Sequence, residues 1–309
     1  MLHEAETSGW SPDVFEKAIR LLALLELIDR HPFLKGKLAL KGGTALNLFH
    51  LDTPRLSVDI DLNFVGSLDL QELSAQRPET ERAVTAIAHS EGYTVSSSAD
   101  SHAGRKLYLQ YINFSGNRDR VEVDINYMFR VPLQPLSRQR PRVLMPGMDI
   151  SFPLVGWFEL LAGKWLAAID RVASRDVYDL AQLHPCEAAN DPAFRATVVG
   201  LSAILPHPLH TYGMNRFARI DRRTAETELS PFLRAGTSFD HDEILTNANQ
   251  FLSRVLELTE QERLYVDGIA RGEIRSELLL PSNSAFCERL KKHPAVRWKI
   301  KNVLSHIER

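Results

Sequence analysis

Leu38-Ala39-Leu40-Lys41-Gly42-Gly43-Thr44-Ala45-Leu46-Asn47-Leu48-Phe49, followed after a turn by Val58-Asp59-Ile60-Asp61-Leu62-Asn63-Phe64, decides how this chain is read. The first apolar triplet reads as a strand that breaks at the glycine pair, and Thr44 to Phe49 as the helix that follows. A strand, glycines and a helix start bring unpaired backbone N–H groups and the positive end of the helix dipole together, which favours an anion such as phosphate. Gly42 and Gly43 allow close approach, and the Thr44 hydroxyl is available to cap the helix or to donate to an oxygen. In the second run side chains alternate between faces, so Asp59 and Asp61 project from one side while Val58, Ile60 and Leu62 pack behind. Adjacent carboxylates repel unless one takes a proton or a cation neutralises them, and Mg²⁺ suits such hard oxygen ligands. Each element also has a plainer reading, a solvated strand edge for the aspartates and an ordinary turn for the glycines. Their succession is what points to a phosphate-handling, metal-dependent enzyme.

A third acidic segment, Val121-Glu122-Val123-Asp124-Ile125-Asn126-Tyr127, alternates in the same way and sets Glu122, Asp124 and Asn126 on one face. Asp124 is placed to complete a carboxylate trio with Asp59 and Asp61, the set that in two-metal nucleotidyl transfer holds ions about 3.5 to 4 Å apart. Its alternative is an exposed residue on a half-buried strand. Further on, Trp157, Leu160, Leu161, Lys164 and Trp165 recur at helical spacing, which puts Lys164 at the edge of a buried face. From there it reaches a phosphate or snorkels over apolar surface. Arg175, Asp176 and Asp179 lie within about one turn of a second helix, where either aspartate can orient Lys164 or Arg171. Arg55 contacts phosphate or pairs with Asp52, and Ser57 caps a turn or bonds a nucleotide.

Lys41-Gly42-Gly43-Thr44-Ala45-Leu46, then Arg55-x-Ser57-x-Asp59-Ile60-Asp61-Leu62, resembles the signature of AbiEii/MenT-type toxins, within the DNA polymerase β-like nucleotidyltransferase superfamily. The resemblance continues through Glu159-Leu160-Leu161-Ala162-Gly163-Lys164-Trp165 to Arg175-Asp176-Val177-Tyr178-Asp179-Leu180, and reaches Leu258-Thr259-x-x-Glu262 and His293-Pro294-Ala295-Val296-Arg297-Trp298-Lys299 near the C-terminus. It implies an α/β (α+β) nucleotidyltransferase domain with a mixed sheet, followed by a mainly helical domain. It also implies transfer of NMP from an NTP, with Mg²⁺, to an acceptor hydroxyl, with the tRNA 3′ end as leading acceptor, and a cognate protein antitoxin. On that reading Asp59, Asp61 and Asp124 hold metal and Gly42, Gly43, Thr44, Arg55 and Ser57 handle the nucleotide. Lys164 and Asp179 form the functional pair, with Asp176 the weaker candidate beside them.

The chain has 309 residues, 44% hydrophobic and 25% charged, enough for one large or two modest domains with real cores. A mixed α/β part over 1–150 and a mainly helical part over 151–309 are expected. The expected elements of the first part are a helix at Pro12 to Arg30, a strand and helix at 37–50, a strand at 58–64 and a helix at 78–90. Strands follow near 93–98, 105–114 and 120–127. The Pro- and Arg-rich stretch Val131 to Pro153, with a short strand near Arg142 to Met145, reads as the link to the helices. Cys186 and Cys287 lie far apart without His or Cys at metal spacing, so neither a disulfide framework nor a zinc site is suggested. No apolar run spans a bilayer and the N-terminus lacks the pattern of a signal peptide, so a cytoplasmic location without membrane partners is expected.

With 37 Lys+Arg against 39 Asp+Glu, the net charge of −2 makes no global case for nucleic acid. Local clusters remain: Arg138, Arg140 and Arg142; Arg216, Arg219, Arg222 and Arg223; Lys291, Lys292, Arg297, Lys299 and Lys301. Each is a solvated face or a phosphate-backbone contact. Two further readings follow from the same residues: a nucleotidyltransferase acting on a small molecule, and a non-catalytic NTP-binding partner protein.

Overall fold

Proline is well tolerated at the first position of a helix, where its missing N–H has no helical partner anyway. Helix α1 (Pro12–Arg30) starts in that way and buries Val14, Phe15, Ala18, Leu21, Leu22, Leu25 and Ile28 along one stripe. Its span is the expected one. The computed structural model describes residues 7–51, 54–142 and 150–307. The chain divides into two units, one of Met1–Arg130, Leu136–Val155 and Ser230–Ser238, the other of Val131–Pro135, Gly156–Leu229 and Phe239–Arg309.

In the first unit α1 is followed by β1 (Leu38–Lys41), a single turn α2 (Gly42–Thr44), a π-helical stretch (Ala45–His50) and β2 (Asp59–Phe64). Then come α3 (Leu70–Ser90), β3 (Thr94–Ser97), β4 (Gly104–Ile112), β5 (Arg118–Asn126), β6 (Ser137–Gln139) and β7 (Phe152–Leu154). These strands form one mixed sheet in the order β3-β4-β5-β2-β1-β7-β6. The pairs β2/β5 and β1/β7 run parallel and the others antiparallel. One face is apolar, with Ile60, Leu62, Val121, Val123 and Ile125 at or near zero exposure. Helix α1 lies on that face: Lys17 pairs with Asp119 at 2.7 Å and the Arg20 guanidinium sits over the Tyr111 ring at 4.2 Å. The opposite face carries Asp59, Asp61, Glu122 and Asp124, as strand alternation requires.

Three local expectations are corrected. Helix α3 begins at Leu70, not at Pro78, because the Asp69 carboxylate accepts the N–H groups of Gln71 and Glu72 and caps it. The turns ahead of Pro78 bury only Leu73, so no apolar stripe reveals them. Thr44 to Phe49 is not an ordinary α-helix: past Thr44 the backbone widens to π geometry, closed by Leu51 N–H donating to the Leu46 carbonyl at 2.8 Å. The stretch read as a link holds strands β6 and β7 instead. Arg138 anchors β6 with two bonds to the Asp29 carboxylate and one to the Ser151 carbonyl. Positions 143–145 of the strand expected at Arg142 to Met145 lie outside the described residues.

The second unit contains α4 (Trp157–Arg171), α5 (Ser174–Gln182), α6 (Pro192–Leu201), α7 (Arg222–Leu229), α8 (His241–Leu256), α9 (Glu260–Ala270), α10 (Ser284–Lys292) and α11 (Pro294–Ile307). Trp165, Phe194, Phe251, Tyr265 and Leu290 form its core. The Thr259-x-x-Glu262 pattern is a capping box: Glu262 N–H donates to the Thr259 hydroxyl at 3.3 Å and Thr259 N–H to the Glu262 carboxylate at 2.8 Å. Arg195 of α6 clasps the same carboxylate through two N–H groups, joining α6 to α9. Among the described residues no helix is long and apolar enough to cross a membrane.

Candidate active site

The glycine turn is tailored to the carboxylate beside it. Gly42 has φ +74, and a Cβ built there would fall 2.2 Å from Asp61 Oδ2, so both the backbone and the space demand glycine. A Cβ at Gly43 would fall 2.7 Å from Ser57 Oγ and 3.3 Å from Arg55 Nη2. Arg55 and Ser57 therefore press against the turn from the segment just ahead of β2. Both are buried, and Arg55 also donates to the Leu56 carbonyl at 3.2 Å. The Thr44 hydroxyl makes no helix cap; it donates to the Asp59 carbonyl at 2.5 Å and ties the turn to β2.

Strand register then assembles charges that are distant in sequence. Lys41 opposes Asp61 across β1/β2, Asp61 opposes Asp124 across β2/β5, and Asp124 opposes Lys106 across β5/β4. Directly opposed residues share a face, so Lys41, Asp61, Asp124 and Lys106 form one row with its two acids in the middle. Asp59 stands in the neighbouring row opposite Glu122. The Lys106 ammonium lies 3.7 Å from Glu122 and 3.9 Å from Asp124, and Arg120 pairs with Glu122 at 2.6 Å. The Asp124 carboxyl is held above the usual range, first by burial and then by the charges of Asp61 and Glu122, against the pull of Lys41 and Lys106. Among the described residues no three His, Cys, Asp or Glu side chains close into an ion-binding group, so Asp59, Asp61 and Asp124 stand as neighbours on one face and not as a finished cage.

In the second unit a reversal through Val172, in the left-handed region at φ 53, folds α5 back beside α4. A β-branched residue is unfavourable there. Lys164 on α4 is 7% exposed and donates to Asp179 Oδ2 at 2.6 Å. Asp176 Oδ1 lies 3.8 Å from the same ammonium and its carboxylate pairs with Arg171 at 2.8 Å. The two aspartates thus divide their work: Asp179 holds Lys164, and Asp176 bridges Lys164 and Arg171.

Sequence reasoning left Lys106 out, although a signal for it exists. The β4/β5 hairpin turns around Ser115-Gly116-Asn117, with Gly116 at φ +80, and pairs Ile112 with Arg118. Counting outward from that turn puts Lys106 opposite Asp124. Among the basic clusters, Arg138 is pinned to Asp29, the Arg216 guanidinium donates to the Asp170 carbonyl at 3.2 Å, and Lys299 donates to the Leu205 carbonyl at 2.8 Å. A separate cavity of about 620 Å³ in the second unit, walled by Leu205, Pro206, Val266, Ile269, Trp298 and Val303 among others, includes Lys299 of the third basic cluster but none of the candidate catalytic residues.

No curated protein matches the chain. A solved structure with the same fold is MenT4, a nucleotidyltransferase toxin from Mycobacterium tuberculosis H37Rv, at a TM-score of 0.58 and 15% identity over 95% of this chain and 93% of that one. The family model for the nucleotidyl transferase AbiEii toxin of type IV toxin–antitoxin systems matches residues 25–258, which include the glycine turn, the acidic row and the Lys164–Asp179 pair. The chain therefore belongs to the AbiEii nucleotidyltransferase toxin family.

Proposed function

We propose that the protein transfers NMP from an NTP to an acceptor hydroxyl at the row of charges on β1, β2, β5 and β4, with Mg²⁺. The observation that carries this reading is the parallel β2/β5 register, which sets Asp61 and Asp124 side by side against a glycine turn with no room for a Cβ. The donor set fits the ion: Mg²⁺ is commonly held by one or two carboxylates while waters and substrate phosphates complete its shell, so no three-carboxylate cage is needed. Asp61 and Asp124 would hold it, with Asp59 beside them. Bound there, the ion would neutralise the charge that develops on the phosphates. The protein's own groups do the rest. Backbone N–H groups around Gly43 and Thr44 receive the phosphates, and the Arg55 guanidinium, behind Gly43, adds positive charge. Asp124 would serve as the further carboxylate of the site or as the base that accepts the proton of the attacking hydroxyl.

The family resemblance implies a nucleotide role for Lys164 and Asp179, and within their own unit the aspartate holds the lysine's rotamer. The proposed acceptor is the tRNA 3′ end, whose modification would block translation. The proposed partner is a cognate antitoxin, and the proposed location the cytoplasm. Arg222, Arg223 and Arg297 are exposed and offer phosphate-backbone contacts. The test is to incubate the protein with Mg²⁺, each α-phosphate-labelled NTP and total tRNA, alongside Asp61→Asn. Label should enter RNA with the wild type, and the folded variant should be slower by about a thousandfold. Full activity in Asp61→Asn would refute the site; labelling of small hydroxylated or amino compounds in place of RNA would move the acceptor to the small-molecule class.

A further inference from the structure

Residues Ser230–Ser238 belong to the first unit although the helices on either side of them belong to the second. This returning peptide grips the segment that leads into β2. Leu233 and Arg55 form an antiparallel bridge, Leu56 N–H donates to the Phe232 carbonyl at 3.0 Å, and Arg234 N–H donates to the Pro54 carbonyl at 2.8 Å. Its outer edge is anchored in turn, since Ala235 N–H donates to the Gly9 carbonyl at 2.7 Å and the Arg234 guanidinium lies over the Trp10 ring at 4.9 Å. Gly9, at φ +75, leaves only 3.1 Å between a built Cβ and Arg234 Cγ, so the anchor is closely fitted. The Arg55 backbone is therefore clamped from outside while its side chain, 3% exposed, reaches the glycine turn.

We propose that Phe232–Arg234 is a positioning strap for Arg55, so that nucleotide affinity depends on a peptide about 180 residues downstream of the arginine assigned to the phosphates. The inference rests on the proposed role of Arg55. An arginine side chain carries large rotamer freedom, and a guanidinium aimed at a phosphate gains most when its backbone is already fixed. The pairing of 54–56 with 232–234 supplies that fixation through backbone bonds. The strap acts on ground-state binding more than on the chemical step, because the segment it pairs with, 54–56, carries Arg55 and ends ahead of the carboxylates of β2.

The experiment compares steady-state NTP kinetics of Arg234→Pro, which deletes the N–H donated to Pro54, with Arg234→Ala, which keeps it. Arg234→Pro should raise the NTP KM about tenfold, as loss of one fixing hydrogen bond allows, and leave kcat within about twofold. Arg234→Ala should return KM to within about threefold of the wild type. In an Arg55→Ala background Arg234→Pro should add nothing to KM, an interaction that a merely structural lesion would not show. Equal increments in both backgrounds would overturn the strap, as would an unchanged KM in Arg234→Pro. A normal KM in Arg55→Ala alone would instead refute the phosphate role of Arg55. Should Arg234→Pro not fold, Leu233→Gly loosens the same bridge and is read against the same pattern.

Discussion

The row on the sheet and the pair on the helices are both made of lysines and aspartates, yet they are opposite in construction. In the row, Lys106 and Asp124 side chains are 45% and 37% exposed and stand 3.9 Å apart. In the pair, Lys164 and Asp179 side chains are 8% and 1% exposed and meet at 2.6 Å. Half-exposed charges at such distances compensate one another weakly and remain open to an outside ligand. A buried, hydrogen-bonded ion pair is tightly coupled, and removing one partner leaves the other charge poorly compensated. The row is built to receive a ligand; the pair is built to hold one ammonium in one place.

That contrast predicts the largest stability effect in the second unit. Lys164→Met should destabilise by about 3 kcal/mol or more, because the buried Asp179 carboxylate loses its charged donor. Lys164→Met/Asp179→Leu should recover most of that loss, as read by the shift in urea midpoint. A single-variant cost below about 1 kcal/mol would show that the pair is wetter than its burial indicates.

The next effect falls on the row and separates chemistry from folding. Gly42→Ala forces both a left-handed alanine and a displaced Asp61 carboxylate, so kcat/KM should fall about a hundredfold and stability by about 1–2 kcal/mol. Gly36→Ala is the control, with a φ of +75 against +74 at Gly42 but nothing within 4 Å of a built Cβ. It should share the stability loss and keep the activity. Loss of activity in both variants would remove the special place of Gly42 beside Asp61.

The smallest effect concerns pH. The Asp124 carboxyl is raised in the folded chain, so its contribution to stability is present when it is protonated and is lost as pH rises through its folded value. Asp124→Asn, measured with chelator present, should therefore melt higher than the wild type at neutral pH, and the gain should vanish toward the acid end of the carboxylate range. A gain of equal size at both ends would detach the effect from titration.

Local periodicity was enough to read much of this molecule. Helix α1 was legible because Pro12 starts it and an unbroken apolar stripe follows, and the common face of Asp59 and Asp61 follows from the two-residue repeat of any strand. The first turns of α3 were hidden because an exposed, capped segment carries no apolar stripe, and β6 and β7 because three-residue strands have no measurable period. Which residues stand together across strands was a matter for the tertiary fold. The parallel partnership of β2 with β5 puts Asp61 beside Asp124, and no turn links those two strands to set a register that could be counted. The choice of Asp179 over Asp176 as the closer partner of Lys164 came from the reversal at Val172 and the packing of α5 on α4, since both aspartates lie on one helical face. The return of Phe232–Arg234 to Arg55 has no local signature at all, because backbone pairing between distant segments depends on the path of the chain and not on which side chains it carries.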